Sequence, residues 1–324
     1  MVDQLLAFFA ANKLPKPTYT LIANGKDVTA ALMRNVEWIR YSDADSDVAD
    51  ELSFCVVGHY ARPKRGDRLE FSLGMMHTGV HPQGVFYVQE SERENGDKLT
   101  VRATSVNFSD AIKEKRDAKY ENTTISAIAK EIADRHSLKC KCDIDIPVKY
   151  IAQQDESDLN FIARLSERYD LICNIKNDTL ILLERIKADE KNSDLPHFII
   201  SNLECESSTI KHTSKTYYKS VQAKWRDTSS NSDRSVKIGD EKPTLFITDD
   251  FKSEDEAKII AKKQLERENR ATVEGTLRLG GRQISAGGVS DLIDAGDDSA
   301  LYSIRRVDHI LDNNGWMIDV GVER

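Results

Sequence analysis

Alternating apolar and polar residues predict strands in the first third of the chain. In the segment 68–73, Leu69, Phe71 and Leu73 alternate with polar residues, which is the period of a half-buried strand. The run 19–23 ends at Asn24-Gly25, and Asn95-Gly96 separates two further strand candidates. Asn-Gly pairs favour tight hairpin turns because both residues tolerate positive φ. Residues from about 17 to 108 therefore predict a closed or nearly closed antiparallel barrel or sandwich.

The pattern changes to a helical period after about residue 110. Residues at i, i+3, i+4 and i+7 form one apolar helix face, namely Ile125, Ile128, Ala129 and Ile132. Thr123 or Thr124 can cap this helix, because a hydroxyl accepts a hydrogen bond from the free N–H groups of the first turn.

A second helix is predicted from Ser157 onward. Its apolar side carries Leu159, Ile162, Leu165 and Tyr169, and Ser157 or Asp155 is the expected cap. Short strands at 171–176 and 179–183 follow, joined by Asn177-Asp178. The middle of the chain thus predicts a small α+β insert.

The last third returns to strands, with one helix. Strands are predicted at 271–279, 300–310 and 316–322, with Gly-rich loops between them. The run Ser253-Glu254-Asp255-Glu256 is a capping box and predicts the start of a helix. Two strand-rich blocks around a mixed insert indicate a duplicated barrel, although residue matching between the blocks does not establish the repeat.

These patterns predict a β-rich α+β fold with two antiparallel β-barrel domains and an intervening small α+β insert. The predicted limits are an N-terminal arm at 1–16, a first barrel domain at 17–109, the insert at 110–190 and a second barrel domain at 191–324. The helix at about 253–269 is assigned to the second barrel domain.

Composition and charge exclude several classes of protein. The chain has 324 residues, 40% of them hydrophobic, and a net charge of −8. Nucleic-acid platforms need clustered cations, so tight non-specific binding of nucleic acid is not expected. The apolar run from Leu5 to Ala11 is far shorter than the roughly 20 residues that span a bilayer, and no signal peptide or stable membrane insertion is predicted. Five cysteines, an odd number, indicate reduced thiols.

No catalytic, cofactor-binding or metal site is predicted. Cys140 and Cys142 lack the second pair that a structural zinc site needs. His77 and His81 are four residues apart, but Gly79 and Pro82 oppose a helix, and we interpret this segment as a loop. The glycine-rich run from Gly280 to Gly288 lacks the Lys-Ser/Thr ending of a phosphate-binding loop, so a turn between barrel strands is expected.

Two clusters of charged residues are predicted to lie at the protein surface. The acidic residues Asp43, Asp45, Asp47 and Asp50 lack the glycine and the final glutamate of a calcium loop, so a solvated loop is the expectation. The basic cluster Lys113, Lys115 and Arg116 is interpreted as a solvated linker or, alternatively, as a contact with a carboxylate on a partner subunit.

Two stretches carry a resemblance to a known family. The first runs from Thr104-Ser105 through Lys115-Arg116 and Tyr120 to Thr123-Thr124-Ile125, and on to Arg135-His136. The second and more specific stretch is Gln153-Gln154-Asp155-Glu156-Ser157-Asp158-Leu159-Asn160-Phe161, followed by Arg164-Leu165 and Arg168-Tyr169. With a weaker likeness around Tyr302–His309 and Gly315-Trp316, residues 17 to 324 resemble the late control protein D family of contractile-tailed phages.

The positions that carry the resemblance are helix caps and apolar faces rather than reactive groups. They are expected to be structural and are Thr124, Ile128, Ile132, Ser157, Asp158, Leu159, Phe161 and Leu165. The arm at residues 1–15 has no counterpart in the family pattern. The chain stops at Arg324, soon after the last predicted strand, so a spike would be a separate polypeptide.

The resemblance implies a structural baseplate or tail hub protein without catalysis or cofactors. It implies two tube-like antiparallel β-barrel domains in each chain and a homotrimer. Three chains would then form a pseudo-sixfold ring that joins the hexameric tail tube to the trimeric spike, since a duplicated domain in a trimer presents six similar surfaces. Tape measure and baseplate wedge proteins are further expected partners. DNA would pass through the ring without specific binding, along a wall expected to be neutral to acidic.

The resemblance also implies a location in the virion tail baseplate after synthesis in the host cytoplasm. Two alternatives remain open. One is the hub of a DNA-free contractile injection device, either a tailocin or a secretion system. The other is a tail-associated cell-wall hydrolase, which would need a carboxylate pair that the sequence does not reveal.

Overall fold

The computed structural model describes residues 16–45, 49–107, 114–142, 144–185, 195–213, 217–227, 230–270 and 272–324. The predicted N-terminal arm lies, except for Lys16, outside these residues. A 13-stranded sheet forms the body of the protein, and three smaller sheets and four helices lie in the described ranges. The β-rich α+β fold class is confirmed.

The first block consists of seven strands and a short helix. They are β1 (Pro17–Ala23), β2 (Lys26–Asp27), α1 (Thr29–Leu32), β3 (Val36–Ala44), β4 (Glu51–Val57), β5 (Arg68–Met75), β6 (Gly79–Glu94) and β7 (Lys98–Thr104). Asn95 and Gly96 have φ values of 51° and 87° between β6 and β7, which confirms the predicted hairpin turn. His81 lies inside β6, so the loop interpretation of this histidine is wrong; strand β6 extends back to Gly79 because it pairs with β5.

The insert alternates strands with two helices. Its elements are β8 (Lys115–Thr124), α2 (Ile125–Arg135), β9 (Lys139–Cys142), β10 (Pro147–Ser157), α3 (Asp158–Tyr169), β11 (Leu171–Lys176) and β12 (Thr179–Glu184). Strands β8 and β10 form a two-stranded sheet, and β11, β12 and β9 form a three-stranded one.

The last block contains nine strands and one long helix. They are β13 (His197–Ser201), β14 (Cys205–His212), β15 (Ser220–Asp227), β16 (Ser232–Ile238), β17 (Thr244–Thr248), α4 (Glu254–Asn269), β18 (Val273–Gly280), β19 (Val289–Ile293), β20 (Ala300–Asp312) and β21 (Gly315–Glu323). Strands β15 to β17 form their own sheet, so the segment from β15 to α4 interrupts the larger sheet between β14 and β18.

The strand order repeats within the large sheet. We call β1 and β3 to β7 the first module; their order is β1-β5-β6-β7-β4-β3. We call β13, β14 and β18 to β21 the second module; their order is β13-β19-β20-β21-β18-β14. When the six strands of each module are numbered along the chain, both modules have the same spatial order, which is first, fourth, fifth, sixth, third and second. One difference is that β1 is antiparallel to β5, whereas β13 is parallel to β19. The topology therefore establishes a duplication that residue matching does not.

The two modules are joined into one sheet with one hydrophobic core. Strand β20 of the second module pairs antiparallel with β3 of the first. The shared core contains buried residues of both modules, including Phe71 and Phe86 from the first and Ile304 and Ile318 from the second. Burying this apolar surface on both sides of the junction stabilises the modules as one body.

The insert has a second core, and α4 belongs to it. Buried Phe161 and Leu165 of the insert pack in the same cluster as Val221 of β15 and Ile260 of α4. The sequence pattern assigns α4 to the second barrel domain. In the structure α4 packs in the second core, against α3 of the insert and against β15 and β16 of its own block. The domain limits themselves stay a prediction.

Candidate functional site: a repeated sheet with open edges

The duplication extends to two of the irregularities of the strands. In the first module, the register of β6 on β7 shifts between Val88 and Glu90. In the second, the register of β20 on β21 shifts between Ile304 and Arg306. Val88 exchanges backbone hydrogen bonds with residues 66–67, and Ile304 does so with residues 287–288. A bulge inserts one residue at a defined position and bends the strand. These positions in β6 and β20 are therefore structurally equivalent.

A second pair of bulges aligns β3 with β14. The register of β3 on β4 shifts between Val36 and Trp38, and that of β14 on β18 shifts between Cys205 and Ser207. Counting on from these bulges, Tyr41 of β3 corresponds to Ile210 of β14. Each module thus carries the same scaffold, with different side chains on it.

The contact between β3 and β20, here called the internal junction, is tightly packed. Tyr41 lies opposite His309, and the two rings stack with centroids 5.3 Å apart. Both residues are buried, and the indole N–H of Trp316 donates a hydrogen bond to His309 Nδ1 at 3.3 Å. Burial lowers the pKa of His309 to about 4, so this imidazole is neutral at pH 7.

The equivalent strand edges elsewhere in the sheet are open among the described residues. Strand β14 pairs on one side only, with β18, and most of its residues are exposed. The C-terminal end of β6, residues 90–94, pairs with β7 on one side, and its glutamates are exposed. We call these two strand edges the open edges. The edge of β14 corresponds to that of β3, and the edge of β6 corresponds to that of β20. Strands β3 and β20 cover each other at the internal junction.

One face of the sheet across the internal junction is solvent-exposed and carries mixed charge. Three arginines on this face have carboxylate neighbours. The pairs are Arg278–Asp319 at 3.0 Å, Arg306–Asp308 at 2.9 Å and Arg102–Glu90 at 3.9 Å. The guanidinium of Arg40 lies 5.0 Å from the ring centroid of Trp38. These four arginines therefore stand beside anions or an aromatic ring, which reduces the attraction that they would exert on a phosphate backbone.

Three of the four acidic residues at the end of β3 and in its connection to β4 are buried and ion-paired, so the solvated-loop interpretation is wrong for them. Asp43, Asp45 and Asp50 are each at most 5% exposed. Lys176 of the insert forms ion pairs with Asp43 and Asp50. Asp47 lies outside the described residues. The sequence gives no local sign of this arrangement because the neutralising cation is far away in the chain.

The same cluster ties together the insert and both modules. Arg185 pairs with Asp45 at 2.5 Å, and Arg305, the bulge residue of β20, pairs with Asp45 at 3.0 Å. The backbone N–H of Ala286 donates to Asp43 at 2.9 Å. Burial raises the pKa of Asp50 to about 6, against the opposing attraction of Lys176. Breaking one partner of such a pair leaves a buried charge unpaired, which is costly.

The structure places the family-motif residues at caps and in the second core. Thr124 is the N-cap of α2 and accepts from the N–H of Ala127 at 3.2 Å. Ser157 is the N-cap of α3 and accepts from the N–H of Asn160 at 3.2 Å. Buried in the second core are Ile128, Ile132, Phe161 and Leu165, with Leu159 half-buried beside them.

Asp158 is the motif residue with the densest set of polar contacts. Its buried carboxylate accepts two hydrogen bonds from Arg135 at 2.8 Å and contacts His136 Nε2 at 2.7 Å. Gln153 donates to it at 3.0 Å, and Arg116 lies 3.4 Å away. Burial alone would raise the pKa of Asp158, but these bonds hold it below its usual value. The carboxylate thus joins α2 to α3 as a structural ion pair.

The basic cluster contacts carboxylates of its own chain. Lys115 pairs with Asp155 at 2.9 Å, and Arg116 pairs with Asp158. Both residues lie in strand β8, so the solvated-linker interpretation is wrong for them, and a contact with a partner subunit's carboxylate stays a prediction. Lys113 lies outside the described residues.

The remaining candidates for chemistry form no site in the part of the chain that the structure describes. The five cysteines are unbridged, and no group of three metal-binding side chains converges within the described ranges. The glycine-rich run 281–288 connects β18 to β19, as expected for a turn between barrel strands. Among the described helices, none has the length and apolarity to cross a bilayer.

Comparison with known proteins identifies a family to which most of the chain matches. The family model described as phage tail baseplate hub (GPD) matches residues 83–315. The probable baseplate hub protein of Escherichia phage P2 is 27% identical over 238 residues, which cover 70% of this chain and 60% of the phage P2 protein. The chain therefore spans about three-fifths of the length of the curated relatives that it matches.

Solved structures share the fold. The 43 kDa tail protein of prophage MuSo2 from Shewanella oneidensis superposes with a TM-score of 0.70 at 13% identity, covering 94% of this chain and 98% of that one. A tail protein from Neisseria meningitidis MC58 superposes with a TM-score of 0.71 at 14% identity, covering 95% of this chain and 97% of the other. At such low identity these likenesses show a common fold.

Proposed function

Because the chain belongs to the phage tail baseplate hub (GPD) family, we propose that it is a structural hub of a contractile tail. In this proposal three copies form a ring with pseudo-sixfold symmetry. One side of the ring binds the hexameric tail tube, and the other binds a trimeric spike. Tape measure and baseplate wedge proteins are further partners, and the protein resides in the tail baseplate after synthesis in the host cytoplasm.

The observation that carries this proposal is the duplicated module. The two modules have the same strand order and the same two bulges. A trimer of such a chain presents six similar modules while keeping true threefold symmetry. Such a ring can match a sixfold partner on one side and a threefold partner on the other, which is the geometrical task of a hub between tube and spike.

The exposed sheet face supports a role as the wall of a DNA channel. Binding to the DNA backbone comes mainly from cations that displace counterions from phosphate. On this face Arg278, Arg306 and Arg102 have carboxylate neighbours, which weakens attraction for phosphate. A wall of this kind lets DNA slide past without holding it. The role requires no catalytic step.

The proposal is tested by counting copies in the assembled particle. Quantitative mass spectrometry of purified tails is expected to find three copies of the chain per tail, with the tube and spike proteins in the same particles. Light scattering of the purified chain alone is expected to give a mass near three times 36.6 kDa, and with its spike a mass equal to three chains plus one spike trimer. Absence from purified tails, or a monomer in both samples, would overturn the proposal.

The DNA content of the same particles separates a phage from a DNA-free injection device. A hub in either machine would form the same ring. Particles that carry a genome assign the chain to a phage, and mature particles without one assign it to a tailocin or secretion device.

A further inference from the structure

The equivalence of the modules predicts which strands meet between subunits. This inference rests on the proposed ring. Strand β3 is covered by β20 inside the chain, whereas its equivalent β14 is open. Strand β20 is covered by β3, whereas residues 90–94 of its equivalent β6 are open. The chain thus contains the contact between β3 and β20 and also, on β14 and β6, the two equivalent strand edges without a partner strand among the described residues.

We infer that β14 of one subunit pairs antiparallel with residues 90–94 of β6 in the neighbouring subunit, in the register of the internal junction. The partner is a second copy of this chain. The contact adds a strand to an exposed sheet edge, so main-chain hydrogen bonds and opposed side chains both contribute.

The two open edges do not pair with each other within one subunit. In the sheet order, β14 and β6 are separated by β18, β21, β20, β3, β4 and β7. With neighbouring strands about 4.8 Å apart, the edges are roughly 30 Å distant along the sheet. A contact that joins different surfaces of two copies is heterologous, and it closes into a ring when the rotation per subunit divides a full turn. Repetition of the internal junction at every boundary is what gives such a ring its pseudo-sixfold symmetry.

The internal register fixes the intermolecular one. Asp308 lies opposite Ser42 at the internal junction. Their equivalents by bulge-to-bulge counting are Glu92 on β6 and Lys211 on β14. The intermolecular contact therefore places a carboxylate directly opposite an ammonium group. Both side chains are exposed in the single chain, and directly opposed residues of opposite charge stabilise a sheet.

The neighbouring positions are compatible with this register. In this register Arg93 lies opposite Ile210. Arg93 takes the position of His309 in the internal junction, and Ile210 takes that of Tyr41. The Ser91 carbonyl now accepts a hydrogen bond from the Arg62 guanidinium at 2.8 Å. That side chain has to move when the neighbouring strand docks. Because the Arg62 side chain belongs to an exposed residue, this rearrangement needs no change in the core.

Disulfide trapping tests the register directly. Directly opposed residues of antiparallel strands have Cβ atoms about 4.5–5.5 Å apart, which a disulfide can bridge with little adjustment. The double variant Glu92→Cys/Lys211→Cys is expected to form covalent dimers and trimers on oxidation, visible on a non-reducing gel. Each single variant is expected to stay at the mass of one chain.

Two matched variants control the experiment. Ser42→Cys/Asp308→Cys opposes the equivalent positions inside the chain and is expected to close an intramolecular disulfide without a change in mass. Glu90→Cys/Lys211→Cys is displaced by two residues along β6 and is expected to give at least fivefold less cross-linked product.

The outcomes separate this inference from the proposed function. A trimer by light scattering that fails to cross-link through Glu92→Cys/Lys211→Cys, while the internal control oxidises, overturns the register and leaves the ring standing. Preferential cross-linking of the displaced pair overturns the register as well. A chain that stays monomeric alone and with its spike overturns both the ring and the strand pairing.

Discussion

The two modules share one scaffold but differ in what covers equivalent strands. In the first module β3 lies between β4 and β20, and Tyr41 is only 4% exposed. In the second, β14 has a described neighbour on one side, and its equivalent Ile210 is only half-buried. The comparison shows that the fold alone does not decide whether a strand is buried. For β3 the second neighbour comes from the same chain, and for β14 we infer that it comes from another subunit.

The largest expected effect is a difference in the free energy of unfolding lost on truncating Tyr41 and on truncating its equivalent Ile210. Tyr41→Ala removes a ring that stacks on His309 and packs edge-on against Phe71 and Phe86. We expect a loss of about 3–5 kcal/mol in the free energy of unfolding, as for other buried aromatic residues. Ile210→Ala, at the equivalent open position, is expected to cost the dissociated chain about 1 kcal/mol or less. Urea denaturation of dilute protein measures both, and equal losses would contradict the equivalence.

A pH dependence is expected at the internal junction because His309 is buried and neutral. Its pKa is about 4 in the folded state and about 6.5 in an unfolded chain. Between these values the unfolded chain binds more protons, so stability is fully present above about pH 6.5 and is lost as the pH falls toward 4. The size is on the order of 3 kcal/mol. His309→Gln is expected to lack this loss, and a variant with the wild-type pH profile would contradict it.

The titration of Asp50, in the ion cluster beside the internal junction, is expected to change stability with pH in the opposite direction to that of His309. Burial raises the pKa of Asp50 to about 6, above the value of about 3.9 in an unfolded chain. Between these values the folded protein binds more protons, so this group lowers stability as the pH rises from about 4 to 6. Asp50→Asn is expected to remove this decline, measured as the difference from wild type in urea unfolding across the same pH range. An unchanged profile would contradict the assignment.

The smallest expected effect concerns the open edges. Lys211→Glu or Glu92→Lys places like charges opposite each other between subunits, and each is expected to lower the association constant a few-fold at low salt. The two changes together restore opposite charges and are expected to restore association, as measured by sedimentation. Lys237→Glu, an exposed change on β16 of the interrupting segment, is the control and should leave association unchanged. A combined variant weaker than both single ones would contradict the register.

Much of the local structure could be predicted from sequence because its signals are local. The helix beginning after Ser253 has its cap at the predicted hydroxyl, which accepts from the N–H of Glu256 at 3.1 Å. The turn at Asn95-Gly96 follows from residues that tolerate positive φ. Capping and turn chemistry depend on a few neighbouring residues, so a single sequence reveals them.

The duplication and the ion cluster could not be predicted in the same way. Equivalent positions hold different side chains, such as Tyr41 and Ile210, because each only has to fit a pleated and partly buried surface. The segment from β15 to α4 separates β14 from β18, whereas a short connection joins β3 to β4. Asp43 and Lys176 meet only after the insert folds onto the sheet. Long-range pairing of this kind leaves no local pattern.

Amide hydrogen exchange of β14 in isolated trimers, compared with the dissociated chain, tests the central claim most directly. Backbone N–H groups that gain hydrogen-bond partners on assembly exchange more slowly. The account predicts that the segment Cys205–His212 and residues 90–94 of β6 become protected together on assembly, while β3 is protected in both states. Trimers in which β14 exchanges as fast as in the dissociated chain would contradict the account.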